Sequence, residues 1–258
     1  MSDAIKREEA IHGKKWGGFH GGYFSDPAIA APLVGKILEW AGRSKANAIV
    51  DLGGGTGYLL SRLQAGGIEP GVSLVNLDDS DKQLEAAKEN GIACVRAAID
   101  QFSRRDLGPE ERQYLFMMRS VLHYFGEAGL SPTLRHLRAQ AKPGELFIHQ
   151  TASYEHSRDA DCLNALYRML KTTKWYPTVD FLKSRLTDEG WQVLEVLPAP
   201  ALPLSSSDLA ERYNIDPATM LDIGRILSRE HSVPADVLSK KEDAFCAYLH
   251  YWIFVCKA

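Results

Sequence analysis

The stretch IVDLGGGTGYLL, residues 49–60, limits what this chain can fold into more than any other. It places Gly53, Gly54, Gly55 and Gly57 within five residues, after an apolar run that carries Asp51 and before an apolar helix start. Glycine lets the backbone take left-handed conformations and come very close to a ligand. A helix that opens directly after such a turn aims its first N–H groups at that ligand. The pattern predicts a buried strand over 46–51, a ligand-facing turn, and a helix from about Tyr58.

The same strand-then-helix unit recurs. SLVNLD, IACVRA, QYLFMM and ELFIHQT read as the second to fifth strands. Between them lie the helices SDKQLEAAKEN, with Ser80 as cap and Gly91 past its end, and SPTLRHLRAQAKPG, with Ser131 as cap and Pro132 in first position. WQVLEVLPA reads as a sixth strand and FCAYLHYWIFVCKA as the last. This alternation predicts an α/β fold, a doubly wound seven-stranded, mostly parallel sheet with helices on both faces.

Two kinds of segment stand outside that core. Residues 1–45 are expected to form a helical N-terminal cap or flap. It contains a short polar helix over 3–12, the glycine- and aromatic-rich GKKWGGFHGGYFSD, and a helix opening at Pro27 behind Ser25 or Asp26. Residues 46–258 form the main domain, with helical inserts at about 155–190 and 205–242. The spacing of Met220, Ile223, Ile226 and Leu227 fits a packed helix face.

The 258 residues suffice for one large α/β domain with a substantial core. A net charge of −3 gives no long-range pull toward nucleic acid or an anionic membrane. No apolar run is long enough for a transmembrane helix, and the polar N-terminus is not a secretory signal. Cys94, Cys162, Cys246 and Cys256 are scattered without a CxxC, which speaks against a disulfide framework or zinc site and fits reduced thiols in the cytoplasm. The expected partner is therefore a small molecule, with no nucleic acid, membrane or metal. The sequence does not indicate an oligomeric state.

The glycine loop narrows the ligand. A phosphate loop requires a Gly-Lys that is absent, and the dinucleotide pattern G-x-G-x-x-G fails at Tyr58 and Leu60. What remains is D-x-G-x-G-x-G, Asp51 to Gly57, which resembles motif I of the doubly wound S-adenosylmethionine-dependent methyltransferases. The resemblance implies a Rossmann-like sheet whose last strand runs antiparallel beside the fifth. It also implies S-adenosyl-L-methionine as cofactor and S-adenosyl-L-homocysteine as product. Asp51, Gly53, Gly54, Gly55 and Gly57 would hold the methionine end and ribose. Asp78, at the end of the second strand, would accept the ribose hydroxyls with Asp79 beside it. Asp100 and Gln101 would meet the adenine, whose ring Phe102 could line.

FMMRSVLHYF resembles the corresponding region of the small-molecule O-methyltransferases of the caffeate and acetylserotonin type, although their Asp-Trp is Tyr124-Phe125 here. By this match Arg119 replaces a cofactor-contacting lysine and His123 takes the place of the catalytic base. A histidine there can equally pack on its helix against a backbone carbonyl. Candidates for the acceptor side are Tyr23, Tyr176 in the first insert, and His149 and Gln150 on the fifth strand; His20 and Tyr23 lie in a glycine-rich segment that could fold over a bound cofactor or form a plain surface loop. The implied activity is methyl transfer to a small molecule, at a hydroxyl if His123 is the base. Two alternatives remain. One is a nucleic-acid methyltransferase, although RSVLHY stands where base-methylating relatives carry [DNS]-P-P-[YFW]. The other is a cofactor-binding relative without methyl transfer.

Overall fold

A computed structural model of the protein describes residues 22–258. The expected helix over 3–12 and the candidate His20 lie outside the described residues.

Helix α1 (Pro27–Arg43) opens as expected: the Asp26 carboxylate accepts from the N–H of Ala28 at 2.8 Å, and Pro27 fills the first turn. Strand β1 (Ala48–Leu52) is wholly buried and leads through the glycine turn into α2 (Tyr58–Ala65). Then follow β2 (Ser73–Asp78), α3 (Asp81–Glu89), β3 (Ala93–Arg96) and β4 (Tyr114–Arg119). A 3-10 turn over Leu122–Phe125 runs directly into α4 (Gly126–Gln140), followed by β5 (Leu146–Ala152). The second half holds α5 (Ser157–Met169), α6 (Val179–Asp188), β6 (Gln192–Ser205), α7 (Ser206–Tyr213), α8 (Pro217–Glu230), β7 (Leu238–Lys241) and β8 (Ala244–Lys257).

The strands form one mixed sheet of order β3-β2-β1-β4-β5-β8-β6, parallel from β3 to β5, with β8 antiparallel to both β5 and β6. This is the expected α/β sheet with its antiparallel last strand. It carries an eighth strand, because β7 pairs with the first residues of β8 inside a region that reads as helical. Strand β6 also runs past WQVLEVLPA to Ser205, through Pro198, Pro200 and Pro203. It pairs only with β8, and an edge strand tolerates prolines that cannot donate outward.

Helix α4 starts five residues before Ser131, so Ser131 and Pro132 are interior rather than capping. Gly126, at φ 67°, makes the joint with the preceding turn. Leu130, Thr133, Leu134 and Leu137 are buried on one face, and this packing outweighs the hydrogen bond that Pro132 cannot donate.

Alternating side chains divide the core across the sheet. Ile49, Leu115 and Ile148 pack on one face against Leu33, Ile37, Leu60 and Leu63 of α1 and α2. Val50, Phe116 and Phe147 pack on the other against Leu134 and Leu137 of α4 and Leu182 and Leu186 of α6. A third cluster joins α5, α7 and α8 to β7 and the adjoining parts of β6 and β8, and includes Leu166, Leu209, Met220, Leu227 and Leu249. Among the described residues, no helix is long and apolar enough to cross a membrane.

Candidate cofactor and acceptor site

The glycine turn sits at the carboxyl end of β1, where ligands of open α/β sheets bind. Gly53, Gly55 and Gly57 have φ of 72°, 57° and 75°, which side-chain-bearing residues rarely adopt. The turn is tied to its neighbour strand: the N–H of Gly53 donates to the Leu77 carbonyl at 2.7 Å, and the Asn76 amide donates to the Gly55 carbonyl at 2.7 Å. A side chain at Gly54 has no room, since a Cβ there would lie 2.1 Å from Asn76 Oδ1 and 2.6 Å from Asp51 Oδ2. Asn76 was not among the residues expected from sequence. Its signal is a polar residue in the buried centre of SLVNLD, in register with Asp51.

Asp51 is 1% exposed. Burial pushes its carboxyl up to about 8; the nearby Asp78 charge adds to this and Arg119 opposes it. Asp51 Oδ2 and Asn76 Oδ1 have no hydrogen-bond partner among the described residues. Two buried acceptors so close together call for a donor, and a cationic one best. Arg119, the last residue of β4, donates to the carbonyls of Phe24 at 3.2 Å and Tyr23 at 3.4 Å, and its guanidinium lies over both rings. It thereby fastens residues 23–24 above the strand ends.

Asp78 lies across the turn. Its Oδ2 accepts from the N–H of Gly55 and its Oδ1 from the N–H of Ser80, both at 2.9 Å. A carboxylate oxygen accepts more than one hydrogen bond, so this anchoring is compatible with a bound diol. Asp79 is half-buried beside it. Asp100 and Gln101 are exposed in the turn after β3, which closes on the Ala98 carbonyl. Phe102, expected beside the adenine, is buried in the core and packs edge-on to His136. The apolar side chains that border the turn are Ile99 and Val121, which stand 3.0 and 3.1 Å from a Cβ built on Gly53.

On the acceptor side, His123 is 5% exposed within the 3-10 turn. Its ring packs on Tyr124 at 4.2 Å and stacks on Tyr176 at 5.3 Å. Asn164 of α5 clamps Tyr176 from both sides, accepting from its N–H at 2.8 Å and donating to its carbonyl at 2.9 Å. Buried Lys174, another residue not expected from sequence, donates to the Tyr213 hydroxyl at 2.9 Å, and its ammonium lies over the faces of Tyr124, Tyr167 and Tyr213. TTKWYP offered only a lysine among aromatics as a hint.

Tyr23 is packed in place. Its hydroxyl donates to the Pro200 carbonyl at 2.5 Å and accepts from the Gln150 amide at 3.4 Å, and burial pushes the phenol up to about 12. His149 is not brought to the site. Strand alternation turns it with Phe147 toward the α4 and α6 face, while Gln150 turns to the other. It lies fully buried between the rings of Phe147 and Phe254, at 4.5 and 4.9 Å, with Nδ1 2.7 Å from Thr151 Oγ1. Burial pulls its pKa down to about 3, so it is a neutral core residue and not a substrate contact.

A comparison with curated protein sequences yields no match. Solved structures share the fold. The YcgJ protein from Bacillus subtilis is 13% identical, with a TM-score of 0.64 over 88% of this chain and 97% of its own. The [4+2]-cyclase SpnF is 14% identical, with a TM-score of 0.55 over 88% of this chain and 80% of its own. Human N-acetylserotonin methyltransferase, solved in complex with S-adenosylmethionine, is 16% identical, with a TM-score of 0.51 over 74% of this chain and 53% of its own. The family described as "Methyltransferase domain" matches residues 27–196. That match spans most of the chain, so the protein belongs to this methyltransferase family and is an enzyme.

Proposed function

We propose that the protein transfers a methyl group from S-adenosylmethionine to a hydroxyl of a small molecule, with His123 as the base. The observation that carries this reading is the pair of partnerless buried acceptors, Asp51 Oδ2 and Asn76 Oδ1, beneath a left-handed glycine turn that faces Asp78. A pyrophosphate would face the Asp78 carboxylate and bring no donor to the Asp51 and Asn76 oxygens, whereas a ligand with an ammonium and a diol is matched by them. The residues present therefore fit S-adenosylmethionine, which supplies an activated methyl group when bound.

In this reading Asp51 holds the ammonium and Asp78 the ribose hydroxyls. Asp79, Asp100 and Gln101 line the adenine end, and Ile99 and Val121 give it apolar walls. Arg119 balances Asp51 electrostatically and fixes residues 23–24 over the site, which helps exclude water. His123 takes the proton of the acceptor hydroxyl, its ring oriented by Tyr124 and Tyr176. Tyr23 and Tyr176 bound the acceptor side. A net charge of −3 suits a small-molecule acceptor better than a nucleic acid, and the free thiols of all four cysteines suit a cytoplasmic location.

Calorimetry with S-adenosylhomocysteine tests the cofactor assignment. Binding in the micromolar range is expected, with loss of binding in Asp78→Ala and in Gly55→Val. Undiminished affinity in both variants would end it. A second reading, cofactor binding without methyl transfer, is favoured only by the likeness to a protein described as a cyclase. Label transfer from methyl-labelled S-adenosylmethionine into a small-molecule extract separates the two.

A further inference from the structure

Three described residues other than glycine have positive φ: Ser120, Lys171 and Asn214. Lys171 and Asn214 lie just past the ends of α5 and α7, where a left-handed residue commonly closes a helix. Ser120 has no such excuse. It sits at φ 60° directly after β4, at the carboxyl edge of the sheet. Glycine would take this conformation without strain, yet the position holds a hydroxyl.

The surroundings hold Ser120 in place from two sides. Its N–H donates to the Gln150 carbonyl at 2.8 Å. Its Oγ is 2.5 Å from the hydroxyl of Tyr251, which comes from the middle of β8. Tyr251 is fully buried and stacks on Tyr23 at 5.8 Å. The left-handed turn also decides where the next residues go. Val121 is laid against Gly53 of the cofactor turn, and His123 follows against Tyr176. Ser120 is only half-buried and stands between the two halves of the site.

We infer that Ser120 binds the acceptor, and that Tyr251 is its positioning residue. Burial keeps the Tyr251 phenol protonated, so it can donate to Ser120 Oγ. A serine hydroxyl has one donor and two acceptor positions. With Tyr251 donating, the Ser120 proton points to the half-open side. There it donates to a lone pair of the acceptor oxygen and holds that oxygen between the glycine turn and His123. This rests on the methyl-transfer reading above and adds two residues to it.

The test uses the full-length protein with Ser120→Ala, Ser120→Gly and Tyr251→Phe. Three quantities are measured: S-adenosylhomocysteine affinity, melting temperature, and the initial rate of label transfer from saturating methyl-labelled S-adenosylmethionine into a small-molecule extract. The expected result is a rate loss of about tenfold or more in all three, with affinity held within about twofold. Ser120→Gly should melt higher than Ser120→Ala, because both lose the hydroxyl and its bond to Tyr251 and only glycine takes φ 60° without strain. A purely structural role predicts instead that rate follows stability, with Ser120→Gly keeping more of it than Ser120→Ala. Rates within about twofold of the parent in Ser120→Ala and Ser120→Gly would overturn the inference, as would rate losses that track affinity or melting temperature across the set. If the parent binds S-adenosylhomocysteine but labels nothing, the methyl-transfer reading itself fails and takes this inference with it.

Discussion

Gly54 is the residue at which the backbone leaves least freedom. Its missing side chain is the space that Asn76 Oδ1 and Asp51 Oδ2 occupy. Gly54→Ala must displace both, and with them the Asn76 bond that positions Gly55. It is expected to cost about 1–3 kcal/mol of stability in urea melts. S-adenosylhomocysteine affinity should fall by about tenfold or more in the same variant. Asp51 makes a second prediction. Its folded pKa of about 8 lies above an unfolded value of about 3.9, so the folded protein binds the extra proton more tightly. The stability from that proton is fully present below about pH 4 and is lost as pH rises through about 8. Asp51→Asn should flatten this slope in melts recorded from pH 5 to 9. If the ligand's ammonium meets this carboxyl, binding near pH 7 should release a proton, seen as a buffer-dependent calorimetric enthalpy. The glycines and acids of this region were legible because they are close in sequence. Asn76, Lys174 and Ser120 were not, because what singles them out is a contact with a distant element.

At the scale of elements, locality again separates what the sequence showed from what it hid. Strand β2 and helix α3 lie where SLVNLD and SDKQLEAAKEN put them, since turn and cap residues bound both. The start of α4 was obscured because Ser131 and Pro132 form a persuasive local start signal that buried Leu130, Leu134 and Leu137 override. Strand β7 and the far half of β6 exist through pairing with β8, which no local pattern encodes. One joint between elements is testable alone. Trp191, after α6, is fully buried against Phe147 at 5.3 Å and donates from its indole to the Leu134 carbonyl at 3.2 Å. Trp191→Ala is expected to cost about 3–5 kcal/mol in urea melts. S-adenosylhomocysteine affinity should survive under native conditions, because the tryptophan packs on the face opposite the Asp51 side chain.

For the molecule as a whole, the sheet grades from a sealed centre to an open margin. Strands β1, β4 and β5 are buried along their entire lengths, whereas β3 at the margin is exposed or half-buried at every residue. Native-state hydrogen exchange should follow this gradient, with amides of 115–118 among the slowest and those of 93–96 faster by orders of magnitude. Comparable protection in the two groups would contradict it. The fold class and the switch-point location of the site followed from the repeating strand–helix units. The proposed acceptor wall did not, because its residues come from the 3-10 turn, the first insert and β8. That dependence on β8 has a further consequence during synthesis. Every other described strand precedes β8 in the chain, yet β5, β6 and β7 all pair with it. The parallel half can therefore assemble while the ribosome is still extending the chain. The flank of β5 that pairs with β8 stays unpaired until Tyr251 and the rest of β8 emerge.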